Sequence, residues 1–352
     1  MTKMNEKKTE GKGFIFAMES FLDKYKFPVC ILVAALLVAV PFMGFSQYLM
    51  RIFIMIGIYS MLGMGLNILT GYTGLVSLGH AGFFAIGAYT ASLLMLRLNV
   101  PFLVAMAAAA CMTGFVGLLL GLPSLRLSGS YLTIVTLGFG EIVKMIIVNW
   151  DAVTNGTLGL KNIPKPSFFG VDMTLANHGL YYMMLVLVLL VAVASMAIIR
   201  SNTGRAFQAI KEDEMAATMM GIRTMRYKVL AFVVSAFITG IAGAFYAPLV
   251  GFIDANSFTF DTSVLIISVV IVGGMGTMRG MFLGAALLIA FPEVSRSLME
   301  YRFVVYGLLL VLMMRFRPQG ILGWKSQMPY KLSKRAKAIL AAEKEPSAAA
   351  NG

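Results

Sequence analysis

The sequence predicts an all-α polytopic integral membrane protein with about eight to ten transmembrane helices, some of them broken by glycine. Three observations carry that prediction. The chain of 352 residues is 59% hydrophobic with a mean hydropathy of +0.83, and only 13% of its residues are charged, about half the share usual in soluble domains. Arg51 and Arg97 bracket 45 consecutive residues without Asp, Glu, Lys or Arg, room for about two membrane crossings. The apolar runs are punctuated by glycine and lack the period-two alternation of a transmembrane barrel.

The basic residues set the orientation. Of 29 Lys and Arg, six lie in residues 1–27, six in 200–228 and eight in 315–352. A net charge of +13 gathered at the ends of apolar runs is the positive-inside pattern rather than a nucleic-acid surface. All three segments are therefore expected in the cytoplasm, and no nucleic-acid partner is expected.

Spans are read near 28–48, 52–70, 74–96, 101–123, 128–149 and 179–199, then 229–250, 262–278, 280–295 and 303–314. Six crossings return the chain to the cytoplasm at Arg200. They leave 150–178 as an extracytoplasmic loop and 200–228 as a cytoplasmic one. The short stretch 262–295 also reads as a re-entrant hairpin, which gives eight full spans instead of ten with the same end topology. The division is then a cytoplasmic segment 1–27, a transmembrane domain 28–314 and a cytoplasmic tail 315–352. The charged lead before the first apolar run does not have the form of a cleaved signal. The basic stretch of the tail, 331–337, suits either solvent or anionic membrane lipid.

Within the spans, glycine and hydroxyl residues concentrate twice. Residues 71–89 read GYTGLVSLGHAGFFAIGAY and residues 272–284 read VGGMGTMRGMFLG. Such interruptions free backbone groups at membrane depth and are tolerable where they line a cavity or pack on protein. They nominate Thr73, Gly74, Ser77, Gly79, His80, Gly273, Gly274 and Gly276 as pathway residues, and Thr133, Thr136 and Glu141 join them from the span 128–149. Glu141 shares a helical face with Lys144, so a mutual ion pair, a hydrated pathway or an interface with a second transmembrane subunit is expected there. Gly117 with Gly121, and Gly276, Gly280 and Gly284, fall four apart, a spacing that lets helices approach closely. Cys30 and Cys111 sit inside apolar runs and read as small buried hydrophobes, with no disulfide or metal site implied.

Catalytic patterns are missing. The chain has no GxxxxGK[ST] phosphate loop, its two histidines, His80 and His178, rule out HExxH, and GxSxG is absent. No enzyme and no cofactor on this chain are expected. One polar stretch, residues 201–222, stands out between apolar blocks. It holds a helix-forming run that ends on Gly221.

Several separated stretches resemble the permease subunits of branched-chain (hydrophobic) amino acid ABC importers, above all the M-type member of the permease pair. They are GLNILTGYTGLVSLGHAGFFAIGAY (65–89), RLSGSYLTIVTLGFGEI (126–142), TNGTLGL (154–160), TGRAFQAIKEDEMAATMMGI (203–222), VGGMGTMRGMFLGA (272–285) and RFRPQGILG (315–323). The resemblance implies a cytoplasmic coupling helix that docks in a groove of an ATPase subunit. The general loop pattern is Glu-Ala-Ala, three residues, then Gly. Here Ala216, Ala217 and Gly221 keep the spacing, Glu214 is displaced by one residue, and the downstream Pro is missing.

On that resemblance, ATPase coupling falls to Gly204, Arg205, Lys211, Glu212, Glu214, Ala216, Ala217 and Gly221. Ala216 and Ala217 would form a slim docking face, and Gly221 would end the helix in a left-handed conformation. The charged residues would set register. The implied partners are two ABC ATPase subunits that hold ATP and Mg²⁺, a homologous second permease subunit and an extracytoplasmic solute-binding protein. The implied location is a bacterial inner membrane. A permease for urea or another small solute stays open as an alternative. A self-sufficient secondary transporter or channel is the more distant one, because intramembrane acids are sparse.

Overall fold

The structure is a computed structural model, and it describes residues 38–44, 46–124, 130–168, 171–294, 302–316 and 320–322. The expected first span, 28–48, lies mostly outside the described residues, as do Cys30, the segment 1–27 and the tail beyond 322.

Helix α1, Gln47–Leu66, starts where the Ser46 hydroxyl accepts a hydrogen bond from the Leu49 amide. It runs on into a π-helical turn, Asn67–Tyr72. Next come α2 (His80–Leu98), α3 (Phe102–Ser124) and α4 (Ser130–Asn149). Left-handed Asn99 ends α2, with Pro101 just beyond. After the loop from Trp150 come α5 (Gly179–Arg200) and two short helices, α6 (Asn202–Glu212) and α7 (Glu214–Met219). The 27-residue α8, Thr224–Val250, rises through about 40 Å. The remaining helices are α9 (Phe260–Gly273), α10 (Met278–Val294) and α11 (Arg302–Phe316).

Seven helices among the described residues are long and apolar enough to cross a membrane, and Met278–Phe291 adds a shorter apolar one. The protein is an all-α, multi-pass membrane protein, as its composition predicts.

Helix α8 is the centre, packed most extensively on α3, α2 and α1. Small residues make this possible. A Cβ on Gly87 of α2 would lie 2.6 Å from the Gly240 carbonyl oxygen, and one on Gly117 of α3 would lie 2.6 Å from the Ala236 Cβ. Without a hydrophobic drive between helices in lipid, such close approach supplies the dispersion contacts that hold the bundle. Gly280 and Gly284 pack in the same way against Gly273 and Val269. Gly276 corrects the expected row: it lies in the α9–α10 turn at φ +82° and not on a helix face. Cys111 also departs from expectation, since it lies on the exposed side of α3.

The two ends of the bundle differ. At one end Leu160 pairs with Ile253 and Lys161 with Phe252 in a two-stranded ladder. This ladder ties the loop after α4 to the segment after α8. Arg97 donates to the carbonyls of Ala152 and Val153 at the same end. At the other end α6, α7 and the start of α8 gather around the last turn of α1 and the α9–α10 turn. Two predicted boundaries are corrected here. Gly74 at φ +78° and the extended residues after it delay α2 from 74 to His80, and Gly274 at φ +115° stops α9 at Gly273 rather than 278.

Candidate coupling site

Helix α6 is amphipathic. Ala206, Phe207 and Ile210 are buried against the bundle, while Asn202 and Arg205 line the open side. The Ser201 hydroxyl caps α6 by accepting from the Thr203 amide. Asp213 caps α7, its carboxylate accepting from the Ala216 amide at 2.9 Å. Helix α7 ends in a Schellman turn. The Ile222 amide donates to the Ala217 carbonyl and the Gly221 amide to the Thr218 carbonyl, with Gly221 at φ +82°. This is the left-handed glycine stop that the sequence predicts.

An ion pair orients α7. Lys228, buried at the start of α8, pairs with Glu214 at the start of α7. With that anchor in place, Ala217 turns inward and is only 5% exposed. Ala217 is therefore not on the open face where a slim docking surface was expected. The open face instead carries Ala216 and three methionines, Met215, Met219 and Met220, exposed by 70%, 80% and 83%. Gly204 is buried too, since a Cβ there would collide with the Ile199 backbone. Arg205 reaches back to Asn202 on its own helix. Glu212 stays exposed.

Lys211 turns toward its own chain. Its Nζ donates to the Gly71 carbonyl at 2.6 Å, and its stem lies over Gly74. That carbonyl belongs to the end of the π-helical turn, where helical partners have run out. Its neighbours are satisfied in other ways. Thr73 Oγ1 donates to the Ile68 carbonyl, and the Leu75 amide to the Leu69 carbonyl.

Asn67, which sequence reasoning overlooked, joins the two glycine-broken segments. Its Oδ1 accepts from the Gly276 amide at 2.8 Å, and its Nδ2 donates to the Thr277 carbonyl at 3.2 Å. The available signal was a lone amide side chain in the apolar stretch GLNIL. A third segment closes the cluster: the amides of Ile321 and Leu322 donate to the Val272 and Gly273 carbonyls.

The remaining pathway candidates separate by burial. Thr73, Ser77, Gly79, His80, Thr136, Gly273 and Gly274 are buried within the chain. The Ser235 hydroxyl donates to the Gly65 carbonyl at 2.7 Å and accepts from His80 Nε2 at 2.8 Å. The backbone groups around the start of α2 are also occupied. The Leu78 amide donates to Thr136 Oγ1, Ala81 to Ser263 Oγ and Gly82 to the Gly79 carbonyl. Two candidates on α4 are only half-buried, Thr133 and Glu141. Glu141 shares a shallow groove with Ile142, Met145, Ile146 and Asn149. Among the described residues no ion pair joins it to Lys144.

The family model for the permease component of branched-chain amino acid transport systems matches residues 48–314. The chain belongs to that family. Relatives of this permease include the high-affinity branched-chain amino acid transport system permease protein LivM of Escherichia coli K12. The two are 39% identical over 340 residues, which cover 90% of this permease and 79% of that protein. LivH of the same strain, a second permease protein of a system with the same name, is 25% identical over 75% of this permease and 91% of its own length. A probable LivM of Methanocaldococcus jannaschii is 23% identical, over 76% and 90%. No solved structure matches this permease.

Proposed function

We propose that this permease is one transmembrane subunit of an ATP-driven importer for branched-chain and other hydrophobic amino acids. Its neighbours in the assembly would be a homologous second permease, two ATPase subunits that hold ATP and Mg²⁺, and a binding protein at the ladder end. The membrane would be a bacterial inner membrane, with α6, α7 and both termini in the cytoplasm, a reading that the positive-inside distribution supports. That two distinct permease relatives in one strain share a system name supports the paired arrangement.

The observation that carries the reading is the methionine ridge on α7. Three exposed, flexible apolar side chains at the polar end of a bundle call for a partner groove. The ridge is held by the Schellman turn and the Lys228–Glu214 pair, so a push on it is delivered to α8. Closure of the ATPase pair would move α6 and α7 together and rock the spans between outward- and inward-open states.

The passage would run along the open face of α4. A carboxylate at Glu141 facing lipid costs on the order of 2.5–3.5 kcal/mol, so this face meets water or the second permease. Glu141 then supplies one fixed negative charge for the ammonium group of a passing amino acid. The buried hydroxyls and glycines of 73–80 and 273–276 position the helices around that passage rather than touch the substrate.

Co-purification and reconstitution test the reading. The chain is expected to bring down two ATPase subunits and a second permease, and vesicles holding the full assembly with its binding protein should take up leucine only with ATP. Leucine uptake by this chain alone, driven by an ion gradient, would end the proposal, and urea uptake in place of leucine would redirect it.

A further inference from the structure

We infer that Lys211 is a positioning residue that joins the ATPase-facing unit to both glycine breaks. The inference rests on the importer reading above. Four segments distant in sequence meet at this point. Lys211 of α6 donates to the Gly71 carbonyl, and the adjacent Asn67 holds the α9–α10 turn through Gly276 and Thr277. Residues 321 and 322 then close on the end of α9.

The geometry leaves little slack. A Cβ on Gly71 would reach within 2.5 Å of the Gly276 amide nitrogen and would collide with Asn67 Oδ1. The end of α1 and the α9–α10 turn are thus in direct backbone contact, and Lys211 grips the same peptide group. Its ammonium sits at a helix C-terminus, where the aligned carbonyls carry partial negative charge. A charged donor on an orphan carbonyl is a strong contact, and its partner has no helical substitute.

Packing alone does not account for a charge at this position. Phe207 and Ile210 already bury the apolar face of α6, and a methionine at 211 would cover Gly74 as well as the lysine stem does. What the ammonium adds is a directional link, so displacement of α6 pulls on α1 and on the turn before α10 together. The second break then moves with the first through Asn67.

Proteoliposomes holding the whole assembly and its binding protein test this, with ATP hydrolysis and leucine uptake measured on the same preparation. Lys211→Met should assemble and hydrolyse ATP while using about ten-fold more ATP per leucine, the scale set by losing one charged hydrogen bond. Lys211→Arg, which restores a donor, should return to within about two-fold of the original ratio. An unchanged ratio in Lys211→Met overturns the inference, as does an arginine variant no better coupled than the methionine one. Loss of the ATPase subunits from Lys211→Met also overturns it, since Lys211 would then be a partner contact. If the unaltered assembly shows no ATP-dependent uptake, the importer reading itself has failed.

Discussion

Asn67 holds Gly276 across 209 residues of chain, its Oδ1 accepting from the Gly276 amide at 2.8 Å. The same side chain donates to the Thr277 carbonyl. One buried amide thereby satisfies a donor and an acceptor that the break after α9 leaves without helical partners. Leucine shares the branching at Cγ but has neither function. Asn67→Leu should cost about 1–3 kcal/mol of stability, read as a lower midpoint of unfolding in detergent micelles. An unchanged midpoint would mean that water or nearby backbone already satisfies these groups.

The Lys228–Glu214 pair joins a buried cation to a half-exposed carboxylate. Solvent at Glu214 screens the pair, so a double-mutant cycle of Lys228→Met and Glu214→Gln should return about 1 kcal/mol of coupling. Glu214→Gln alone should be worse than the double variant, because it strands the Lys228 charge. Equal stabilities for the single and double variants would show that α7 is oriented by apolar contacts alone.

Gly221 is the left-handed stop of α7, with open space where a Cβ would be. Conformation rather than crowding therefore decides what this position accepts. Gly221→Val should cost about 1–2 kcal/mol in local strain and unwind the turn that presents Met219 and Met220. Membrane insertion should be unaffected, while leucine uptake per ATP falls. Gly221→Asn, which tolerates the left-handed region, should keep more of the coupling. A fully coupled valine variant would remove the rigid turn from the mechanism.

Glu141 gives the open face of α4 its carboxylate. Glu141→Gln keeps the shape and removes the charge, so kcat/KM for leucine uptake should fall by about ten-fold with assembly unchanged. A variant whose uptake is normal but whose second permease dissociates would place Glu141 in the subunit interface instead.

The architecture was largely readable from the chain because lipid demands long uncharged runs, and these start and stop at Arg51, Arg97, Arg200 and similar residues. The glycine breaks were visible for the same reason. Which way short helices face was not. Ala217 turns inward because of Glu214 and Lys228, and Lys211 turns to Gly71 because α1 ends beside it. Those are tertiary relations between distant residues that helical periodicity does not encode. Asn67 marks the opposite case: a polar side chain in an apolar run signalled a buried partner without indicating where that partner was. The glycines and hydroxyls of the breaks proved ambiguous because a residue that lines a cavity and one that lets two backbones touch have the same composition.

The methionine ridge offers the most direct test of ATPase docking. In the purified assembly, Met219→Cys carrying a short photoreactive cross-linker should join this chain to an ATPase subunit in high yield. Ala217→Cys, whose side chain is buried, should not. Cross-links from Met219 that reach only the second permease or lipid, in an assembly that still imports leucine, would contradict the docking of α7 on the ATPase.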